Sequence, residues 1–122
     1  MIDLHLSFRD STSWVLDTGC ASHICNDVQV LTNRRKLSSG KVELRLGNGA
    51  KVATPTVGTV NLKLPSGHML SLNNCLYVPS LIKNIISVSC LDRAGYTLTI
   101  RNNCCSLYLG NKVVIYAAMV NG

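Results

Sequence analysis

A carboxylate that ends an apolar run is the first candidate for chemistry in this sequence. The apolar segment at residues 14–16 leads directly into Asp17, Thr18 and Gly19. A carboxylate at the end of a buried strand is unfavourable unless it is hydrogen-bonded, and Gly19 lets backbone N–H groups approach it closely. The sequence therefore predicts that Asp17 is held rigidly near the surface of a β-fold, although the tripeptide alone is more often a plain turn after a strand.

Aspartic proteolysis is the chemistry that such a carboxylate supports when a second one faces it. Two carboxylates that share one proton can activate a water and polarise the scissile carbonyl. The sequence holds no second Asp-Ser/Thr-Gly, because Asp27 is followed by valine and Asp92 by arginine. A single chain therefore cannot assemble the pair, whereas a two-fold dimer places two copies of Asp17 face to face.

The residues after this turn offer two further chemistries. Cys20, His23 and Cys25 lie close in sequence, and Cys75 could supply a fourth zinc ligand. Because the His-x-Cys spacing is tighter than zinc sites usually show, we expect no metal and no cofactor. Cys20 could also be a nucleophile with His23 as its base, but their spacing along a turn does not favour alignment. We interpret His23 as a hydrogen-bonded structural histidine.

The elements that must position these residues are mostly strands. Residues 41–47 alternate apolar and polar side chains, which predicts a strand with one dry face. A Gly-Asn-Gly turn then leads into a returning arm at residues 51–57. Alternation and turn residues predict further strands at 59–64, 68–72, 75–78 and 96–101, and a closing hairpin at 106–109 and 113–118.

The pattern becomes helical once, at residues 84–94. Apolar side chains recur there on roughly one helical face, Ser87 or Asn84 can cap the start, and Gly95 can end the helix. The predicted class is therefore mostly β with one short helix, and the regular turn spacing favours a small barrel or sandwich.

Composition limits the classes of protein that this chain can belong to. Its 122 residues make about one domain, and 47% hydrophobic with 15% charged residues exclude intrinsic disorder. No apolar run is long enough for a membrane span, so we expect no membrane partner. Six of the twelve cations lie in residues 34–51 of a chain with net charge +6. A solvated strand face explains them better than nucleic-acid binding, since no aromatic side chains are interleaved.

The six cysteines indicate a reducing compartment. Three disulfides would suit a secreted domain, but the N-terminal residues carry charges and no apolar signal region. The neighbours of most cysteines are apolar, which is typical of small buried side chains. We therefore expect an intracellular, cytoplasmic protein with free thiols.

Four blocks of this sequence resemble the protease segment of copia-type (Ty1/copia) retrotransposon Pol polyproteins. They occur in the family's order and spacing across residues 14–95, which makes the resemblance specific. The blocks are Trp14, Leu16, Asp17, Thr18, Gly19 and His23; Leu-Gly-Asn-Gly at 46–49; Leu-Tyr-Val-Pro at 76–79; and Asn-Ile-Ile-Ser-Val-Ser-Cys-Leu at 84–91 followed by Ala-Gly-Tyr. Cys20 and Ala21 depart from the pattern, where alanine and serine are commoner.

This resemblance implies a retropepsin-like aspartic endopeptidase that cuts its own Gag-Pol polyprotein as a homodimer. It implies a closed β-barrel with one short helix at about residues 84–94. It assigns the catalytic turn to Asp17, Thr18 and Gly19, and a substrate-binding flap to Gly47, Asn48, Gly49 and Ala50. Ser87 stands where retroviral members carry glycine, so the support beneath the catalytic turn must be built differently.

The expected organisation has three parts. Residues 1–12 form an N-terminal extension, residues 13–100 the barrel domain, and residues 101–122 a C-terminal β-hairpin that begins the segment preceding integrase. The alternative to an active peptidase is a catalytically inactive β-barrel remnant that serves as a scaffold or dimerisation module.

Overall fold

The computed structural model describes residues 14–36, 44–45, 51–52 and 56–119. Its strands are β1 (Trp14–Asp17), β2 (Ile24–Cys25), β3 (Thr32–Lys36), β4 (Leu44–Arg45), β5 (Lys51–Val52), β6 (Thr56–Lys63), β7 (Met69–Tyr77), β8 (Asn84–Ser87), β9 (Tyr96–Arg101), β10 (Cys104–Leu109) and β11 (Lys112–Ala118). One α-helix, α1 (Val88–Arg93), and one 3₁₀ turn (Val28–Val30) accompany them. Within these ranges no helix has the length and hydrophobicity that crossing a membrane requires.

The largest sheet has six strands in the order β1-β8-β2-β7-β6-β3. Two neighbouring strands of this sheet, β6 and β7, form an antiparallel hairpin that turns at Gly67, whose φ is +91°. Along β7 the side chains of Leu70 and Leu72 are buried while their neighbours are exposed, as the predicted alternation requires. The mostly β class is thus confirmed.

The predicted closed barrel is not present in the described part of the chain. The six-stranded sheet is open there, with β1 and β3 as its outer strands, and the three-stranded β9–β10–β11 sheet is separate from it. Closure depends on strand tilt and stagger, which alternation along one strand does not define.

The predicted helix at residues 84–94 is wrong in its first third. Residues 84–87 form β8, which pairs in parallel with β1, and the helix begins only at Val88. Ile85 and Ile86 are β-branched, so they favour the strand that β1 offers them. Of the two predicted candidates, Ser87 is the N-cap and Asn84 is not, and Gly95 ends the helix with a φ of +95°.

The C-terminal strands form an antiparallel meander that is tied to the large sheet. The predicted closing hairpin is present as β10 and β11, which turn at Gly110. His68 Nε2 lies 2.8 Å from the Tyr96 hydroxyl, and Ser66 Oγ donates to the Val114 carbonyl at 2.8 Å. These two contacts join the β6–β7 turn to β9 and β11.

The main core lies beneath β1, β7 and β8. Trp14, Leu16 and Ile86 are almost completely buried in it, beside residues from the C-terminal meander. Gly58 allows β3 to lie against β6, because a Cβ there would be only 2.6 Å from the Thr32 carbonyl oxygen. The three residues of β1 that precede Asp17 are all buried and are held by packing.

Leu16→Ala is expected to destabilise the protein by about 3 kcal/mol, because it removes a fully buried side chain and leaves a cavity. Leu109→Ala is the matched control, since Leu109 is 38% exposed and the same change there should cost much less. Urea denaturation followed by circular dichroism measures both. Equal losses of unfolding free energy would show that β1 is not part of the core.

Candidate active site

The turn after β1 holds one carboxylate in a fixed orientation. Asp17 ends the buried strand, and its Oδ1 accepts the Gly19 N–H at 2.7 Å. The Asp17 side chain is half-buried, whereas Thr18 and Gly19 are exposed. The predicted approach of a glycine N–H to the carboxylate is thus present, and the carboxylate keeps access to solvent.

Ser87 is a buried residue that hydrogen-bonds to this turn. It lies opposite Asp17 in the parallel β1–β8 register and is completely buried. Its Oγ donates to the Cys20 carbonyl oxygen at 2.6 Å and accepts the Cys90 N–H at 3.2 Å. One hydroxyl therefore caps α1 and fixes the backbone that follows Gly19.

His23 contributes the second bond between the turn and β8. Its ring is buried, and Nδ1 accepts the Ser87 N–H at 3.0 Å. Burial, with a smaller contribution from the Arg93 guanidinium, lowers the pKa of His23 from 6.5 to about 4. The imidazole is therefore neutral near pH 7, and the prediction of a hydrogen-bonded histidine is confirmed.

Stability should fall between pH 6.5 and 4 because of His23. The folded state holds this imidazole neutral down to about pH 4, whereas the unfolded chain takes up a proton near pH 6.5. The contribution of His23 to the free energy of unfolding is therefore fully present above pH 6.5, and it declines by about 3 kcal/mol as the pH falls to 4. Urea midpoints across this range measure the loss, and His23→Asn, which cannot titrate, should flatten the curve. An unchanged slope in His23→Asn would contradict this assignment.

The thiols near the turn are not poised for nucleophilic attack. Cys20 Sγ donates to the Ser22 carbonyl at 3.1 Å, and burial, with the Asp17 carboxylate, raises the pKa of the Cys20 thiol. His23 directs Nδ1 at Ser87 and not at Cys20. Since a thiolate is the reactive form, this geometry disfavours the cysteine–histidine alternative.

The zinc alternative finds only two of its four residues in contact. Cys25 and Cys75 are fully buried and their thiols hydrogen-bond to each other. The hydrogen bond with Cys25, together with burial, raises the pKa of Cys75 far above the usual range. In the part of the chain that the structure describes, no three His, Cys, Asp or Glu side chains are grouped so that they could hold a metal ion.

A groove of about 400 Å³ opens beside the turn. It is lined by Thr18, by residues of α1 and by residues of β9 and β10. Its lining is mainly apolar but includes one carboxylate, that of Asp92. The apolar lining comes from Val88, Leu91, Leu98 and Leu107.

The predicted flap residues Gly47, Asn48, Gly49 and Ala50 lie outside the described residues. The arms on either side are described, and β4 pairs with β5 in an antiparallel register that sets Leu44 opposite Val52. The described residues on the two sides of the predicted turn are therefore paired as antiparallel strands.

Sequence reasoning missed an asparagine pair that orders the opposite end of β8. Asn26 donates its backbone N–H to Asn84 Oδ1 at 2.9 Å, and its Nδ2 donates to the carbonyls of Leu81 and Ile82. A polar residue directly after the buried β2 was the available signal. These bonds fix the segment that leads into β8, and so help to place Ser87.

Comparison with known proteins identifies the family. Residues 14–96 match the family described as "Pol polyprotein, beta-barrel domain". The chain therefore belongs to the Pol polyprotein β-barrel domain family, and its resemblance to the Pol polyproteins of Ty1/copia-type retrotransposons is correct at this level. That description names a domain and no catalytic activity.

Two of the similar proteins are retrotransposon polyproteins of plants. The chain is 33% identical over 85 residues to the retrovirus-related Pol polyprotein from transposon RE1 of Arabidopsis thaliana, covering 70% of this chain and 6% of that protein. It is 32% identical over 111 residues to the one from transposon TNT 1-94 of Nicotiana tabacum, covering 91% and 8%. The chain thus spans a small part of these relatives, and no solved structure matches it significantly.

Proposed function

We propose that this chain is one half of a homodimeric aspartic endopeptidase that cleaves peptide bonds of its own Gag-Pol polyprotein. The observation that carries the proposal is the Asp17 carboxylate. It follows three buried residues of β1, accepts the Gly19 N–H at 2.7 Å and is still accessible to solvent. The bond to Gly19 and the buried residues of β1 fix the position of this carboxylate, and a fixed position suits a reaction that needs defined geometry.

The reaction needs two copies of Asp17 that share one proton. The ionised Asp17 removes a proton from a water molecule, whose oxygen attacks the scissile carbonyl carbon. The protonated Asp17 of the second copy donates its proton to the carbonyl oxygen. The tetrahedral diol then collapses. The C–N bond breaks as the leaving nitrogen takes the proton that the first Asp17 removed from water, and the ionised Asp17 of the second copy removes a hydroxyl proton from the diol, which restores the singly protonated pair. The two like charges favour this singly protonated pair.

The surface around Asp17 suits a two-fold contact. Thr18 is exposed next to the carboxylate, and it lines the mainly apolar groove together with residues of α1. If the two turns meet on a symmetry axis, this groove lies at the edge of the dimer interface, where a second copy covers part of its apolar lining.

Cleavage of a purified Gag-Pol fragment tests the proposal, and Cys20→Ala separates it from a cysteine hydrolase. We expect wild type and Cys20→Ala to cleave at rates within about twofold of each other, because the Cys20 thiol takes no part in water activation. A thiol-alkylating reagent should likewise leave the Cys20→Ala rate unchanged. Loss of cleavage in Cys20→Ala with an intact circular dichroism spectrum would favour the cysteine mechanism. No cleavage by wild type would favour the scaffold alternative.

A further inference from the structure

The chain between β1 and β2 passes over the end of β8. In the sheet order, β8 lies between β1 and β2, so the turn at residues 17–23 bridges its two neighbours. At one end of the turn Asp17 pairs with Ser87 in the parallel register. At the other end His23 directs its ring at the same serine, and its carbonyl accepts the Leu76 N–H at 2.8 Å.

Ser87 leaves the sheet at this point and begins α1. An N-cap residue cannot donate its own N–H to the helix that follows, and Ser87 is completely buried. A buried N–H without a partner is destabilising, because it has lost its hydrogen bond to water. The Nδ1 lone pair of His23 supplies the partner at 3.0 Å.

We propose that His23 is a positioning residue for the Asp17 turn, acting through Ser87. The inference rests on the proposed peptidase function. His23 Nδ1 holds the Ser87 N–H, and the Ser87 hydroxyl holds the Cys20 carbonyl, so two bonds clamp the turn against the start of α1. The His23 proton lies on Nε2, since Nδ1 accepts. Removal of the acceptor frees Ser87 and with it the backbone next to Gly19, and the Asp17 carboxylate loses its fixed direction.

Two substitutions of His23 separate this role from simple packing. Asn Oδ1 stands the same number of bonds from Cα as His Nδ1, so His23→Asn keeps the acceptor, whereas His23→Leu fills space without one. We expect His23→Leu to lower kcat about 100-fold with KM changed little, and His23→Asn to keep kcat within about threefold of wild type. His68→Leu is the matched control, because it removes a hydrogen-bonded imidazole on the β6–β7 turn, and its kcat should stay near wild type.

Hydrogen exchange tests the clamp without any cleavage assay. The Gly19 and Ser87 amides should exchange at wild-type rates in His23→Asn and faster in His23→Leu. Imidazole ¹⁵N NMR of wild type should show Nδ1 unprotonated, and a proton on Nδ1 would overturn the proposal even if His23→Leu does not fold. Equal kcat or equal exchange in the two variants would also overturn it. If wild type shows no cleavage, the peptidase proposal fails, and the exchange rates still decide the role of His23.

Discussion

Asp17→Asn should reduce cleavage at least about 1,000-fold, because removal of a group that acts on the reacting water costs this much or more in hydrolases. A dimer of two Asp17→Asn chains holds no carboxylate at this turn to take the proton of the water. The fold should survive, since the amide oxygen of asparagine can accept the Gly19 N–H as Asp17 Oδ1 does at 2.7 Å. Initial rates on a Gag-Pol fragment, measured beside thermal melts of both proteins, test this expectation.

Asp27→Asn is the control for the loss of a carboxylate in general. Asp27 is exposed and its Oδ1 accepts the Gln29 N–H at the start of the 3₁₀ turn, so asparagine can take its place. It should cleave at close to the wild-type rate. A residual rate in Asp17→Asn equal to that of Asp27→Asn would rule out Asp17 as the catalytic group.

The local part of the site could be predicted because it depends on neighbours in sequence. The Gly19 N–H reaches Asp17 across two residues, and Ser87 caps a helix that begins at the next residue. The residue types at these positions are sufficient to predict hydrogen bonds between such near neighbours. The sequence therefore predicts the position of the carboxylate and limits the helix cap to Ser87 or Asn84.

The support of the site could not be predicted, because it joins distant segments. His23 and Ser87 are 64 residues apart, and the Ser87–Cys20 bond spans 67. Neither residue type indicates its partner. The role of Ser87 under the turn follows only when β8 is known to lie parallel to β1, and no periodicity in the chain defines that pairing.

The prediction of a helix at residues 84–87 is wrong for the same reason, because contact with a distant segment decides the structure there. Two apolar residues, Ile85 and Ile86, between Asn84 and Ser87 satisfy a helical pattern and a strand pattern equally well. The parallel partner at Trp14–Asp17 decides between them, and it lies 70 residues earlier in the chain. Tertiary pairing thus overrides local pattern at the position that carries the site.

Excess Asp17→Asn chains should suppress wild-type cleavage, because each active centre needs an Asp17 from two chains. With a ninefold excess of the variant and random pairing, about one wild-type chain in ten keeps a wild-type partner, so cleavage should fall about tenfold. Excess Asp27→Asn chains are the matched control, since they bring an intact Asp17 and should raise the total rate. Neither effect depends on how tightly the chains associate once all are dimeric.

Dilution supplies the second half of this test. The rate per wild-type chain should fall once the protein concentration drops below the dimer dissociation constant. Two chains linked in tandem should resist dilution, because the linker raises their effective concentration. Both chains carry a net charge of +6, so ionic strength must be held constant to keep their repulsion the same. The dilution range should be about thousandfold, so that it spans about three decades around a typical dissociation constant. If the rate per chain stays constant over this range and sedimentation shows a monomer, the shared carboxylate pair is excluded. The chain would then act as a scaffold, and the Asp17 turn would be a structural end to β1.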